Sequence, residues 1–201
     1  MLLGILVVFA AGCSLFGHSY DPTTTGIYVS DDRTILSAEI TDFDNSKYEE
    51  PRYSEDELRD FVEKTVDEYN QKQTDGEEKV SIEKLSVDDT TATLILKYAG
   101  AADYLEFNGV SEAVPIKNLI VGSVKDGIDS GVDFSGMLDF DGNPADAAAI
   151  KENTEYTLVL FKGNTELQCE GKIQFYSEGL KKTDDYTVTS SDEETSFVIF
   201  K

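Results

Sequence analysis

The chain has no tryptophan, one histidine, two cysteines, two methionines and four prolines in 201 residues. Its cations are scarce as well, 17 Lys and Arg against 40 Asp and Glu. Each shortage removes a class of chemistry. Nucleophilic catalysis by a Ser–His pair needs a positioned imidazole. The one imidazole, His18, lies in the Ser/Thr-rich stretch "SLFGHSYDPTTT", where it reads as a solvated side chain. The lack of tryptophan takes away a common platform for stacking sugars. No Lys/Arg cluster offsets a formal charge of −23, so nucleic acid is excluded as a partner and anionic lipid has no basic patch to hold. A membrane-crossing helix needs about 20 apolar residues, and the longest uncharged apolar stretch, Leu2 to Ala11, has ten.

Aromatic and aliphatic side chains are plentiful. Eleven Phe, ten Tyr and a hydrophobic share of 40% are enough to build a core, whereas a disordered acidic chain would carry few aromatics. The pattern after residue 25 is α+β. In "GIYVSDDRTILSAEITDF", Leu36, Ala38 and Ile40 alternate with polar neighbours around a Ser30-Asp31-Asp32-Arg33 turn signal, which predicts a hairpin over 26–43. In "YSEDELRDFVEKTVDEYNQKQ", Leu58, Phe61, Val62, Thr65, Val66 and Tyr69 recur at helical spacing and predict a core-facing stripe on a helix over about 55–72. Ser54 and Glu57 form a capping box, and Tyr53 with Leu58 a hydrophobic staple. "KVSIEKLSVDDTTATLILKYAG" predicts a second hairpin with a bulge near Glu83-Lys84, where the alternation changes phase. "AADYLEF" at 101–107 suits a short helix, as does 145–151. The last part is β-rich. Tyr156 to Phe161 is apolar on both parities and predicts a strand covered on both faces. Gly163-Asn164 separates it from a strand over about 166–176, in which Leu167, Cys169, Ile173 and Phe175 share a face, followed by "DDYTVTS" and "TSFVIFK". The expectation is a β-β-α-β-β module over 26–121 and a mostly antiparallel β module over 122–201, as two units or as one continuous domain.

The opening "MLLGILVVFAAGCSLFG" resembles a bacterial lipoprotein signal peptide. Ten apolar residues fit the core of a secretory signal, small residues follow, and Cys13 sits directly after Ala10-Ala11-Gly12, in the place of a lipobox cysteine. It differs from the usual pattern in carrying Ala10 three places before the cysteine and no Lys or Arg ahead of the apolar run. The resemblance implies removal of 1–12, lipidation of Cys13, and a lipid-anchored location on the extracytoplasmic face of the cell membrane. Residues 13–25 then serve as a tether. The order of signal, polar tether, hairpin, acidic helix and further hairpins is similar to that of small lipoproteins of Gram-positive bacteria. That likeness implies location and brings no activity or site residues with it.

If Cys13 is acylated, Cys169 is the one cysteine left in the fold. It shares parity with Leu167 and Ile173 and is expected in the core as a small apolar residue. No internal disulfide and no Cys/His zinc set follow. The string "DFDGNPAD" is the most metal-like. Asp139, Asp141, Asn143 and Asp146 supply hard oxygen ligands of the kind Ca²⁺ takes. It is not an EF-hand, because glycine falls at the fourth place and Ile150 occupies the twelfth. An ordinary Asp-Gly-Asn-Pro turn explains the same residues. No Gly-rich phosphate loop is present. The expectation is a non-enzymatic, lipid-anchored protein that binds a protein or small-molecule partner without a resident cofactor. A carboxylate-based hydrolase and a divalent-cation-binding surface protein are the alternatives.

Overall fold

A computed structural model describes residues 18–43, 54–74, 76–88, 90–109, 115–191 and 194–201. Cys13, the signal segment and Tyr53 of the expected staple lie outside the described residues.

The chain opens with the expected hairpin, β1 (Gly26–Val29) and β2 (Ile35–Asp42), paired antiparallel. Helix α1 (Glu55–Asn70) follows. Its Ser54 Oγ accepts from the Glu57 N–H at 3.1 Å while the Glu57 carboxylate accepts from the Ser54 N–H at 2.7 Å, so the capping box is closed. Three acidic residues in the first turn complement the helix dipole. The stripe buries Val62, Val66 and Tyr69, with Leu58 half-buried. Phe61 departs from the expected core face and is 68% exposed. It lies about 100° from Val62 around a helix of 3.6 residues per turn, at the margin of the stripe.

The second hairpin joins β3 (Val80–Asp88) to β4 (Thr91–Tyr98), and the register shifts between Ile82 and Lys84, where the alternation changes phase. Then come α2 (Ala101–Asn108), β5 (Ile116–Ser123), α3 (Val124–Asp129), β6 (Met137–Asp139) and α4 (Ala147–Lys151). Helix α3 was not expected. It is started by a second capping box, Ser123 with Asp126, inside a segment whose Gly content hides helical periodicity.

The remaining strands are β7 (Thr157–Gly163), β8 (Thr165–Cys169), β9 (Ile173–Ser177), β10 (Lys181–Lys182), β11 (Thr187–Ser190) and β12 (Thr195–Phe200). The single strand expected over 166–176 is therefore two. β8 belongs to a seven-stranded sheet ordered β10-β11-β8-β1-β2-β4-β3, and β9 to a five-stranded sheet ordered β5-β7-β12-β9-β6. The shared odd parity of Leu167, Cys169 and Ile173 hid the break, because the chain passes from one sheet to the other while keeping apolar side chains in the space between them. β7 and β8 lie in different sheets too, so Gly163-Asn164 is a crossing rather than a hairpin turn. The larger sheet is mixed, since β8 runs parallel to β1, and the smaller is antiparallel. Strands on both sides of residue 121 contribute to the larger sheet, and β5 of the smaller sheet spans that residue.

The main core fills the space between the sheets and under α1 and α2, with Val29, Ile35, Tyr98, Ile116, Phe161, Leu167, Cys169, Ile173 and Phe200 fully buried. A second cluster, Val124, Phe134, Met137, Ile150, Leu158 and Ile199, lies on the other face of the smaller sheet beneath α3 and α4. Leu158 thus joins one cluster and Val159 and Phe161 the other, so β7 is covered on both faces. In β2 the core receives Ile35 and Ser37, the opposite parity to Leu36, Ala38 and Ile40. The latter face is also occupied, with Ala38 fully buried.

Candidate functional site

What reaches that outer face is residues 18–25, the segment expected to be a free tether. Tyr20 stacks on Tyr28 (ring centroids 5.2 Å apart), which stands opposite Leu36 on the same face. The Thr25 hydroxyl accepts from the Ile40 N–H at 3.0 Å, and Thr24 donates to the Glu166 carboxylate at 3.0 Å. At the far end the His18 N–H donates to the Glu170 carbonyl at 3.0 Å, and the Tyr28 hydroxyl donates to the His18 carbonyl at 2.8 Å. Burial, with the Glu170 and Asp31 carboxylates adding, raises the Tyr28 phenol well above its ordinary value, so it keeps that proton. The segment is a strap running along the sheet from the Val29 end to the Gly26 end before turning back into β1.

A hollow opens at each end of the strap. The larger, about 520 Å³, is lined by hydroxyls, among them Thr24, Thr25, Thr165 and Ser190, with Asn164 and Glu166. Much of its polar surface is already used internally: Thr24 donates to Glu166, Thr25 bonds Ile40, and Thr165 donates to the Glu166 carbonyl.

The smaller hollow, about 390 Å³, sits where the chain passes between the sheets after Cys169. Its floor is made by the crossing Glu170-Gly171-Lys172. The Glu170 N–H donates to the Val29 carbonyl at 2.9 Å, and the Lys201 N–H donates to the Lys172 carbonyl at 3.1 Å. Gly171 is required here by close approach, since a Cβ on it would stand 2.3 Å from the Lys201 carbonyl carbon. On one wall the His18 ring lies parallel to the Tyr186 ring, with centroids 4.5 Å apart and planes 8° from parallel. Asp31 and Glu170 bring carboxylates, and the Asp31 N–H donates to Glu170 Oε2 at 2.9 Å. Lys172 and Lys201 bring ammoniums. Lys172 Nζ is 3.0 Å from the Asp185 carboxylate and 3.7 Å from the centre of the Phe140 ring, whose face the ammonium covers. Partial burial raises the Asp31 carboxyl above its ordinary range, with the Glu170 and Asp32 carboxylates adding to it. Cys169, behind this floor, is completely buried, and burial, Asp31 and Asp184 push its thiol far up, as expected of an inert core cysteine.

The proposed metal residues serve the backbone. Asp139 Oδ1 accepts from the N–H groups of Asp141 (3.0 Å) and Asn143 (2.8 Å), which holds that carboxyl below its ordinary range. Asp146 Oδ1 caps α4 by accepting from the Ala148 N–H at 2.9 Å. Asn143 comes to Asp139, with its amide 3.4 Å from both carboxylate oxygens, while Asp146 is turned to its own helix. Among the described residues no group of three or more His, Cys, Asp or Glu side chains is arranged to hold a metal ion. These are the distances of an Asx turn followed by an N-cap.

Sequence reasoning overlooked the hollow because its walls come from five separate stretches of chain. The one available hint was composition: His18 and Tyr20 are two aromatic rings at a spacing of two, and the rest of residues 17–25 is small or polar. No helix among the described residues is long and apolar enough to cross a membrane. No family model, curated protein or solved structure matches the chain.

Proposed function

We propose that this is a lipid-anchored extracytoplasmic protein that acts by binding, and that the hollow beside His18 takes a small ligand carrying charges of both signs. One observation carries the binding part. Two basic residues (Lys172 and Lys201) and two acidic ones (Asp31 and Glu170) line one concave site with an aromatic wall, Lys172 also pairing with Asp185 at its edge. In a chain with 40 acidic and 17 basic residues, equal numbers of each lining one hollow depart from the composition. A pocket with a few convergent polar groups on a preformed frame is the usual form of a small-molecule site. The anchoring part rests on the Leu2–Cys13 segment and its resemblance to a lipoprotein signal.

Titrating ¹⁵N-labelled protein with L-alanine and with L-alanyl-L-alanine tests the binding. Saturable shifts confined to the amides of His18, Glu170, Lys172 and Lys201, weakened at least tenfold in Glu170→Gln, support the reading. No saturable shift with either probe at millimolar concentration removes it. Membrane fractionation of the parent beside Cys13→Ala tests the anchor separately, and identical partitioning of the two removes that part.

A further inference from the structure

The strap has a consequence for how an anchored molecule sits. His18 is held to the body of the fold by its N–H to the Glu170 carbonyl, by its carbonyl to the Tyr28 hydroxyl and by its ring on Tyr186. It lies only five steps along the chain from Cys13. Five residues span at most about 18 Å when fully extended. A tether free to residue 25 would reach more than twice as far. We infer that residues 18–25 are a fixed strap that holds the hollow-bearing end of the sandwich against the lipid headgroups, so that this end, and not the acidic helix α1, is the membrane-facing surface. The inference rests on the anchoring reading above.

Two further observations agree with that orientation. The hollow's Lys172 and Lys201 stand against Asp31, Glu170 and the Asp185 paired with Lys172, a formal sum of −1 with His18 neutral. Helix α1 carries seven carboxylates against Arg59 and Lys64, a formal sum of −5. A headgroup layer containing anionic lipid repels the second surface and tolerates the first. The strand direction supplies the geometry. β2 begins at Ile35, next to the hollow end of β1, and ends at Asp42, opposite Thr91. Seven steps of about 3.4 Å place the Asp88–Thr91 end about 24 Å farther from the anchor.

The test uses the full lipidated chain in phosphatidylcholine vesicles doped with a headgroup nitroxide. A fluorophore is placed at Lys201→Cys or at Asp88→Cys, and Cys169, fully buried, does not compete for the label. Expected is quenching at position 201 several-fold stronger than at 88, with the difference lost when twenty Gly/Ser residues are inserted between Cys13 and His18. Equal quenching at both positions in a protein that floats with the vesicles overturns the strap and leaves the anchor standing. A parent protein that fails to float, as Cys13→Ala does, overturns the anchor and this inference with it.

Discussion

Gly163 offers the most direct test of how the two sheets are joined. It ends β7, one residue before the chain crosses to β8, and its φ is +149°, which side chains rarely adopt. A Cβ built there would lie 1.9 Å from the Pro115 carbonyl oxygen and 2.9 Å from the Ile116 Cα. Both are backbone atoms, and Ile116 is the register partner of Gly163 at the start of β5, just before a register shift. Neither can rotate away as a side-chain tip would. Gly163→Ala therefore has two costs. The backbone conformation accounts for about 1–3 kcal/mol. Forcing a methyl into packed backbone adds about 1–3 kcal/mol. The sum, about 4 kcal/mol, is a large share of the roughly 5–15 kcal/mol that holds a folded chain together. For a chain of this length it corresponds to a fall of about 8–16 °C in melting temperature.

Gly131→Ala is the internal control. Its φ is +78° and nothing lies within 4 Å of the added methyl, so only the conformational cost of about 1–2 kcal/mol applies. Urea unfolding of both variants beside the parent, followed by far-ultraviolet circular dichroism, isolates the contact with Pro115. Equal midpoints for the two variants would refute the close β5–β7 approach and with it the register assigned to that pair.

Four other outcomes follow from particular contacts. Ser54→Ala should cost about 1 kcal/mol by urea unfolding, because it opens the α1 capping box. Native Cys169 should stay unreactive to a thiol reagent for hours and react at once in 6 M guanidinium; fast labelling of the folded protein would contradict its burial. Millimolar Ca²⁺ should leave the melting temperature unchanged, since the Asp139 and Asp146 carboxylates already serve backbone N–H groups; a rise of several degrees would restore the loop as a cation site. Acid should destabilise the fold through Asp32, Asp126 and Asp139, all held below their ordinary range by hydrogen bonds. A depressed folded-state value gives stability that is present above the unfolded carboxylate range, near pH 4, and lost as pH falls through the folded value. Urea midpoints measured from pH 6 to pH 2 should fall less steeply in Asp126→Asn/Asp139→Asn than in the parent.

What was legible in the sequence was whatever a local window contains. The capping box of α1, the phase change at Glu83-Lys84 and the two-sided apolar run of β7 each depend on residues fewer than ten apart, and each is in the structure as read. What was illegible depends on which sheet a strand joins. Leu167, Cys169, Ile173 and Phe175 keep one parity through the crossing, so period alone runs β8 and β9 together. Gly171 was the available sign, and its reason is a contact with Lys201, thirty residues away. The same long-range closure creates the hollow. β1 pairs in parallel with β8, which brings Asp31 beside Glu170 across 139 residues, and the strap then brings His18 to the same place. The residues that would bind a ligand are thus the ones that close the fold. A change that loosens the crossing should weaken binding and stability together. A change to a carboxylate that only faces the hollow should affect binding alone. Gly171→Ala and Asp31→Asn form that pair, and comparing their urea midpoints with their alanine titrations separates a site supported by the crossing from one that merely lies beside it.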